Sequence, residues 1–242
     1  MIDAGIQVGV VYPQIELGGE ADAVRAIGDA IEAQGYRHLV AYDHVLGAEQ
    51  ADRQPELTGP YDENDPFHDP FVLFAYLAGR SDTLEFASGV LILPQRQTAL
   101  VAKQAADLAV LSGNRLRLGV GVGWNWVEYE ALGEDFATRG QRANEQIELL
   151  RRYWTEPTVS FAGRFDRVER AGIVPRPSMS PPVWVGGFGA ASLRRAVRLG
   201  DGFIFGGPRI HVAEQWARLK ELLAEAGRPL EGCGAGYLVV SS

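Results

Sequence analysis

The sequence predicts an α/β fold built on a parallel sheet. Short apolar runs alternate with segments whose apolar residues recur at helical spacing. The runs are apolar at consecutive positions rather than at every second one, which is the pattern of strands buried on both faces. With 242 residues, 46% hydrophobic and 22% charged, the chain can bury a large core. A closed (β/α) barrel and an open doubly wound sheet both fit these observations. A barrel of this length counts as one domain, here residues 1–242.

The elements follow in order. Ile6–Tyr12 ("IQVGVVY") is the first strand. In Glu20–Gln34, Val24, Ile27 and Ile31 share a helical face, and Gly35 is the stop. His38–His44 is the second strand, followed by a long connection, residues 45–69, rich in Pro, Gly and acids. "DPFVLFAYLAGR" reads as a helix and Leu84–Leu93 as the third strand. Thr98–Ser112 is the clearest helix: Thr98 is placed to cap it, Val101, Ala105, Leu108 and Leu111 share a face, and Gly113 ends it. Leu116–Val122 is the fourth strand. Gln141–Trp154 is helical, with Ala143, Ile147, Leu150 and Trp154 on one side. Residues 155–182 form an insertion with a hairpin in "VSFAGRFDRV". Val183–Gly187, Gly202–Gly206 and Gly236–Ser241 complete the strands, with helices over Ala190–Leu199 and His211–Ala226. Both long connections are expected after strand C-terminal ends, where barrel enzymes place their site-forming loops.

Composition excludes several partners. A net charge of −8 argues against nucleic acid and anionic membranes, which both need a basic face. Cys233 is the only cysteine, so no disulfide framework or cysteine-based zinc site is expected. The opening "MIDAGIQVGVVYPQ" carries no basic region before a long apolar run, and no run reaches the ~18 apolar residues of a membrane span. A cytoplasmic protein is the expectation. The histidines (His38, His44, His68, His211) are scattered, with no His-Glu-x-x-His pattern, so no metal is expected. A Gly-x-Ser-x-Gly elbow and a dinucleotide fingerprint are also missing.

Three stretches carry chemistry. The second strand ends in "AYDHV", which puts Asp43 and His44 at a barrel mouth; a polar strand end is the alternative. Gly186, Gly187 and Gly189 lead into a helix at Ala190, where free amides and the helix dipole favour an anion such as phosphate; a tight turn is the alternative. In "LGVGVGW", Gly119, Gly121 and Gly123 share one strand face. That face reads as a floor under something flat, with barrel-interior packing as the alternative. A planar ring over the fourth strand with a phosphate beyond the fifth describes a flavin-like cofactor.

"YDHV", "SGVLILPQRQTALVAKQAADLAVLSGNRLRLGVGVGWNWVEYEALG" and "PPVWVGGFGAASLRRAVRLGDGF" resemble the luciferase-like monooxygenase superfamily, and within it the deazaflavin (coenzyme F420)-dependent oxidoreductases. The resemblance covers nearly the whole chain. It implies a TIM (β/α)8 barrel of the bacterial-luciferase type that binds F420 or FMN at its C-terminal mouth. It assigns Asp43 and His44 to the cofactor's reactive face, with His44 as acid/base or polarising group. Gly89–Val90 matches a non-proline cis peptide forming a bulge behind the ring, Val122 and Gly123 contact the ring or its side chain, and Gly186, Gly187, Gly189 and Ala190 hold the phosphate. The family's sugar-phosphate dehydrogenases carry a glutamate where this chain has Trp124. Trp124 and Trp126 therefore suggest an apolar, flat-sided pocket, which His68 could reach.

The expected activity is hydride transfer between F420 and a small organic substrate. The alternatives are an FMN-dependent monooxygenase fed by a separate reductase, or a non-catalytic flavin-binding relative. A longer anionic cofactor tail would want cations, for which Arg194, Arg195 and Arg209 are candidates. A homodimer is expected by resemblance. Only seven strands are found, so the barrel is expected to lack its eighth strand and last helix, with Ile6–Tyr12 and Gly236–Ser241 as facing edges.

Overall fold

The computed structural model describes residues 5–239. Seven parallel strands form one curled sheet in the order β1 (Val10–Val11), β2 (His38–Ala41), β3 (Glu85–Ser88), β5 (Leu116–Gly121), β8 (Val183–Gly186), β9 (Gly202–Phe205) and β10 (Gly234–Tyr237). The short β4 (Leu91–Ile92) also pairs with β5. Helices α1 (Ala21–Ala33), α2 (Pro70–Ala78), α3 (Thr98–Leu111), α5 (Arg139–Thr155), α6 (Ala190–Leu199) and α7 (Arg209–Glu225) link the strands. The architecture is that of a (β/α) barrel, and among the described residues it stays open between β1 and β10. No helix among them is long and apolar enough to cross a membrane.

The two faces of the sheet differ in kind. The outer face packs Leu39, Phe86, Leu118, Val120, Val183, Val185, Phe203 and Phe205 against the helices, into one cluster with Leu77, Ala105, Ile147, Leu150 and Leu193. Fully burying each such side chain contributes about 1.5–3 kcal/mol. The inner face is lined by Gly119, Gly121, Gly186 and Gly202, because a curled sheet leaves little room inside. A Cβ at Gly121 would run into Val90, and one at Gly186 would come within 2.6 Å of Val90 Cγ1. The glycine face expected to lie directly under a ligand is thus already covered by Val90, Ile204 and the Ser88 carbonyl.

Several boundaries depart from the sequence reading. The first strand is regular only at Val10–Val11, although its backbone bonds to the second strand's segment run from the Val8 carbonyl, which accepts from the Arg37 amide, to the Tyr12 amide, which donates to the Val40 carbonyl; Ile6 and Val8 are exposed. The third strand is interrupted at the Gly89–Val90 peptide, which is cis, and resumes as β4 before a 3₁₀ turn over Leu93–Gln95. Thr98 does not cap α3: Gln97 is the capping residue, and the Thr98 hydroxyl donates to Asp166 Oδ2 at 2.9 Å. The insertion follows α5 rather than a strand, and its hairpin, β6 (Val159–Ala162) with β7 (Arg167–Ala171), is antiparallel as expected. The last strand lies at Gly234–Tyr237, and residues 240–241 of its expected span fall outside the described residues. The helix α4 (Trp126–Ala131) was not anticipated.

Candidate active site

The mouth of the sheet brings β2, the β3–β4 bulge, β5 and β8 together. His44 lies just past β2. Its Nδ1 is 3.4 Å from Glu128 Oε2, with the imidazole 10% and the carboxylate 1% exposed. Three rings meet the imidazole edge to face: Phe67 at 4.8 Å, Tyr61 at 5.2 Å and Trp124 at 5.7 Å between centroids. Tyr61 and Phe67 come from the 45–69 connection, which folds over the mouth. A Cβ at Gly59 would strike the Trp124 indole, so only glycine lets the loop backbone lie on that ring. Burial pushes the Tyr61 phenol up to about 12, and the pocket around His44 is aromatic and poorly solvated.

Glu128 is held from several directions. Oε1 accepts from the Val45 amide at 2.8 Å and the Leu46 amide at 3.2 Å, and Oε2 accepts from Gln95 Nε2 at 3.2 Å. Burial alone would raise its carboxyl, but the contacts from His44, Gln95 and the Leu46 amide outweigh it and hold the group below its ordinary value. α4 positions it: Asn125 caps the helix by accepting from the Val127 amide at 3.1 Å, so Glu128 falls on the third helical residue. "NWVE" has the spacing of a capping box. That spacing was the available signal for a residue the sequence reading missed, although here the acid turns to His44 and the loop amides.

Asp43 does not line the opening. Its side chain is fully buried; Oδ2 accepts from the Ile92 amide at 2.8 Å and Oδ1 from Arg96 Nη2 at 2.7 Å. Arg96 also pairs with Asp69 at 2.9 Å, and Asp69 caps α2. Burial raises the Asp43 carboxyl, while Arg96 and the Ile92 amide draw it back down. Asp43 therefore anchors the backbone two residues beyond the half-buried Gly89–Val90 bulge.

The remaining expected residues divide. Val122 accepts from the Tyr129 hydroxyl at 2.7 Å, and Gly123 lies against Ile92. Trp126 opens α4 with the Arg53 guanidinium 5.8 Å above its ring, and His68 packs near Tyr12 at 6.4 Å; neither joins the rings around His44. At the end of β8, Gly187 takes φ +146, and a Cβ there would lie 3.0 Å from Ser192 Cβ. Nothing lies within 4 Å of a Cβ at Gly189, and no side chain caps α6 at that residue. The first amides of α6, at Ala190 and Ala191, carry no protein partner among the described residues. The open backbone and free amides fit a phosphate. Arg195 is committed to Asn144 Oδ1 at 2.7 Å and the Gly140 carbonyl at 3.0 Å, whereas Arg194 and Arg209 are exposed.

Fold and mouth together define a (β/α)-barrel protein with a histidine–glutamate pair just past β2 and an open glycine turn at the end of β8. A family model described as luciferase-like monooxygenase matches residues 4–241, and the chain belongs to that family. An uncharacterized protein of Mycobacterium tuberculosis is 38% identical over 208 residues, 84% of this chain and 72% of the relative. The F420-dependent hydroxymycolic acid dehydrogenase of the same organism is 29% identical over 225 residues, 91% of this chain and 58% of the dehydrogenase. The structure of an F420-dependent secondary alcohol dehydrogenase in complex with an F420-acetone adduct superposes with a TM-score of 0.79 at 18% identity. The superposition covers 97% of this chain and 69% of that one and establishes the fold.

Proposed function

We propose that the chain is a deazaflavin-dependent oxidoreductase, exchanging hydride between coenzyme F420 and a small organic substrate bearing a hydroxyl or carbonyl group. The observation that supports it most is His44, set among aromatic rings with Nδ1 turned to a buried carboxylate. F420, when bound, supplies a ring that accepts or returns a hydride. His44 Nε2 takes the hydroxyl proton as the substrate's carbon–hydrogen bond gives up hydride, and returns it in the reverse direction. Gly187, Gly189, Ala190 and the α6 amides hold the phosphate, and Val90 backs the ring. Tyr61, Phe67 and Trp124 exclude water around His44, and among the described residues no cation pairs with the site, Arg96 being taken by Asp43 and Asp69; a sugar phosphate is disfavoured. The F420-dependent relative supports the cofactor assignment.

FMN, and with it a monooxygenase fed by a separate reductase, is the second reading. Exposed Arg194, one turn into α6, and Arg209, opening α7, favour the cofactor with the longer anionic tail. A homodimer belongs to the same proposal, with light scattering as its check. Titration with F420 and with FMN, followed by fluorescence and absorbance, tests the assignment. F420 is expected to bind at least ~10-fold more tightly, about 1.4 kcal/mol, and Gly187→Leu to abolish binding. Tight FMN binding with no F420 binding would transfer the proposal to the monooxygenase. Unchanged binding in Gly187→Leu would remove the cradle.

A further inference from the structure

We propose that Glu128 is a positioning residue that fixes the tautomer of His44, keeping the proton on Nδ1 and leaving Nε2 as the acceptor. The inference rests on His44 being the acid/base group, but its structural content stands without turnover. Glu128 is sealed from solvent: the Val45 and Leu46 amides donate to Oε1 and Gln95 Nε2 to Oε2, and His44 Nδ1 lies 3.4 Å from Oε2. An ionised carboxylate can only accept, so the imidazole nitrogen turned to it must carry the hydrogen. Free neutral imidazole in histidine favours the proton on Nε2, so the site reverses the default. Of the rings around His44, Phe67 and Trp124 offer no acceptor that could compete for that hydrogen. Nε2 makes no hydrogen bond to the described residues, so the atom left as base is the one free to meet a substrate. An acceptor behind the histidine that sets tautomer and orientation is the same logic that operates in carboxylate–histidine pairs generally.

Glu128→Gln makes a sharp test because it changes one atom. The two loop amides require the remaining carbonyl oxygen, so the introduced NH₂ group must face Gln95 and His44. Donor then meets donor at Nδ1 unless the imidazole hydrogen moves to Nε2. The substitution should therefore invert the tautomer rather than loosen it.

Long-range ¹⁵N–¹H correlation spectra of the histidine-labelled protein, recorded without cofactor or substrate, read this directly. The His44 signals are assigned by their loss in His44→Gln. In spectra taken at a pH where the imidazole is neutral, the wild type is expected to show a protonated Nδ1 and an unprotonated Nε2, and Glu128→Gln the reverse. A wild-type spectrum with the proton on Nε2 overturns the proposal by itself, so it stays exposed even if the variant does not fold. A folded Glu128→Gln with the wild-type pattern overturns it too. With a substrate in hand, kcat in the variant should fall by ~10²-fold or more, the scale of an acid/base contribution, with KM nearly unchanged. A wild type that turns over nothing, yet shows the expected spectrum, would instead sink the assigned activity and leave the tautomer assignment standing.

Discussion

At the scale of single residues, the mouth separates two acids, Asp43, which the sequence singled out, and Glu128, which it did not. Asp43 has both oxygens occupied and contributes architecture, while Glu128 keeps one oxygen toward His44. His44→Ala is therefore expected to lower kcat ~10²–10⁴-fold while cofactor affinity, measured by fluorescence titration, stays within a few-fold. Equal turnover would make His44 structural. Glu128 also gives a pH prediction. Its folded-state carboxyl lies below the ordinary value of 4.5, so it stabilises the fold above that pH and loses the contribution as pH falls through the folded value. The melting temperatures of wild type and Glu128→Gln should accordingly converge below pH 4.5; a constant gap would show that the carboxylate is not held in its charged form. His44 was legible in the sequence because it closely follows an apolar strand, although β2 itself ends at Ala41 rather than at His44. Glu128, Tyr61 and Phe67 were not, since each reaches the site through a helix or loop whose path depends on tertiary contacts.

At the scale of elements, the 45–69 connection acts as a cover whose fit depends on one missing side chain. Gly59→Val should drive the loop backbone off Trp124 and unpack Tyr61 and Phe67 from His44. Overpacking of this kind costs about 1–3 kcal/mol, read as a lowered melting temperature together with increased exposure of Trp124 in quenching experiments. An unshifted melting curve with unchanged quenching would mean the loop does not rest on the indole. The helices and the inner strands were readable because their apolar residues are continuous or periodic: Ala143, Ile147, Leu150 and Trp154 are all buried as their spacing implied. The Gly89–Val90 break and α4 were harder. A run such as "LEFASGVLIL" looks unbroken by hydropathy, and the six residues of α4 are too few to show a helical period.

At the scale of the whole molecule, the cradle proposed at the end of β8 belongs to a chain whose net charge is −8. The proposed cradle is made of backbone amides, which act only on contact, and Arg96 offsets only one of the two carboxylates, Asp43 and Asp69, that it pairs with. The remaining negative charge acts over distance, reaching roughly 30 Å at 0.01 M salt but only about 8 Å at 0.15 M. If the proposed cradle takes a phosphate, the net negative charge should repel the ligand during approach while the amides hold it after arrival. Added salt should therefore raise its association rate, the opposite of an oppositely charged pair, and leave the dissociation rate nearly unchanged. Stopped-flow mixing across that range of ionic strength measures both, and an association rate that falls with salt would show that the mouth presents a net positive face to incoming ligands.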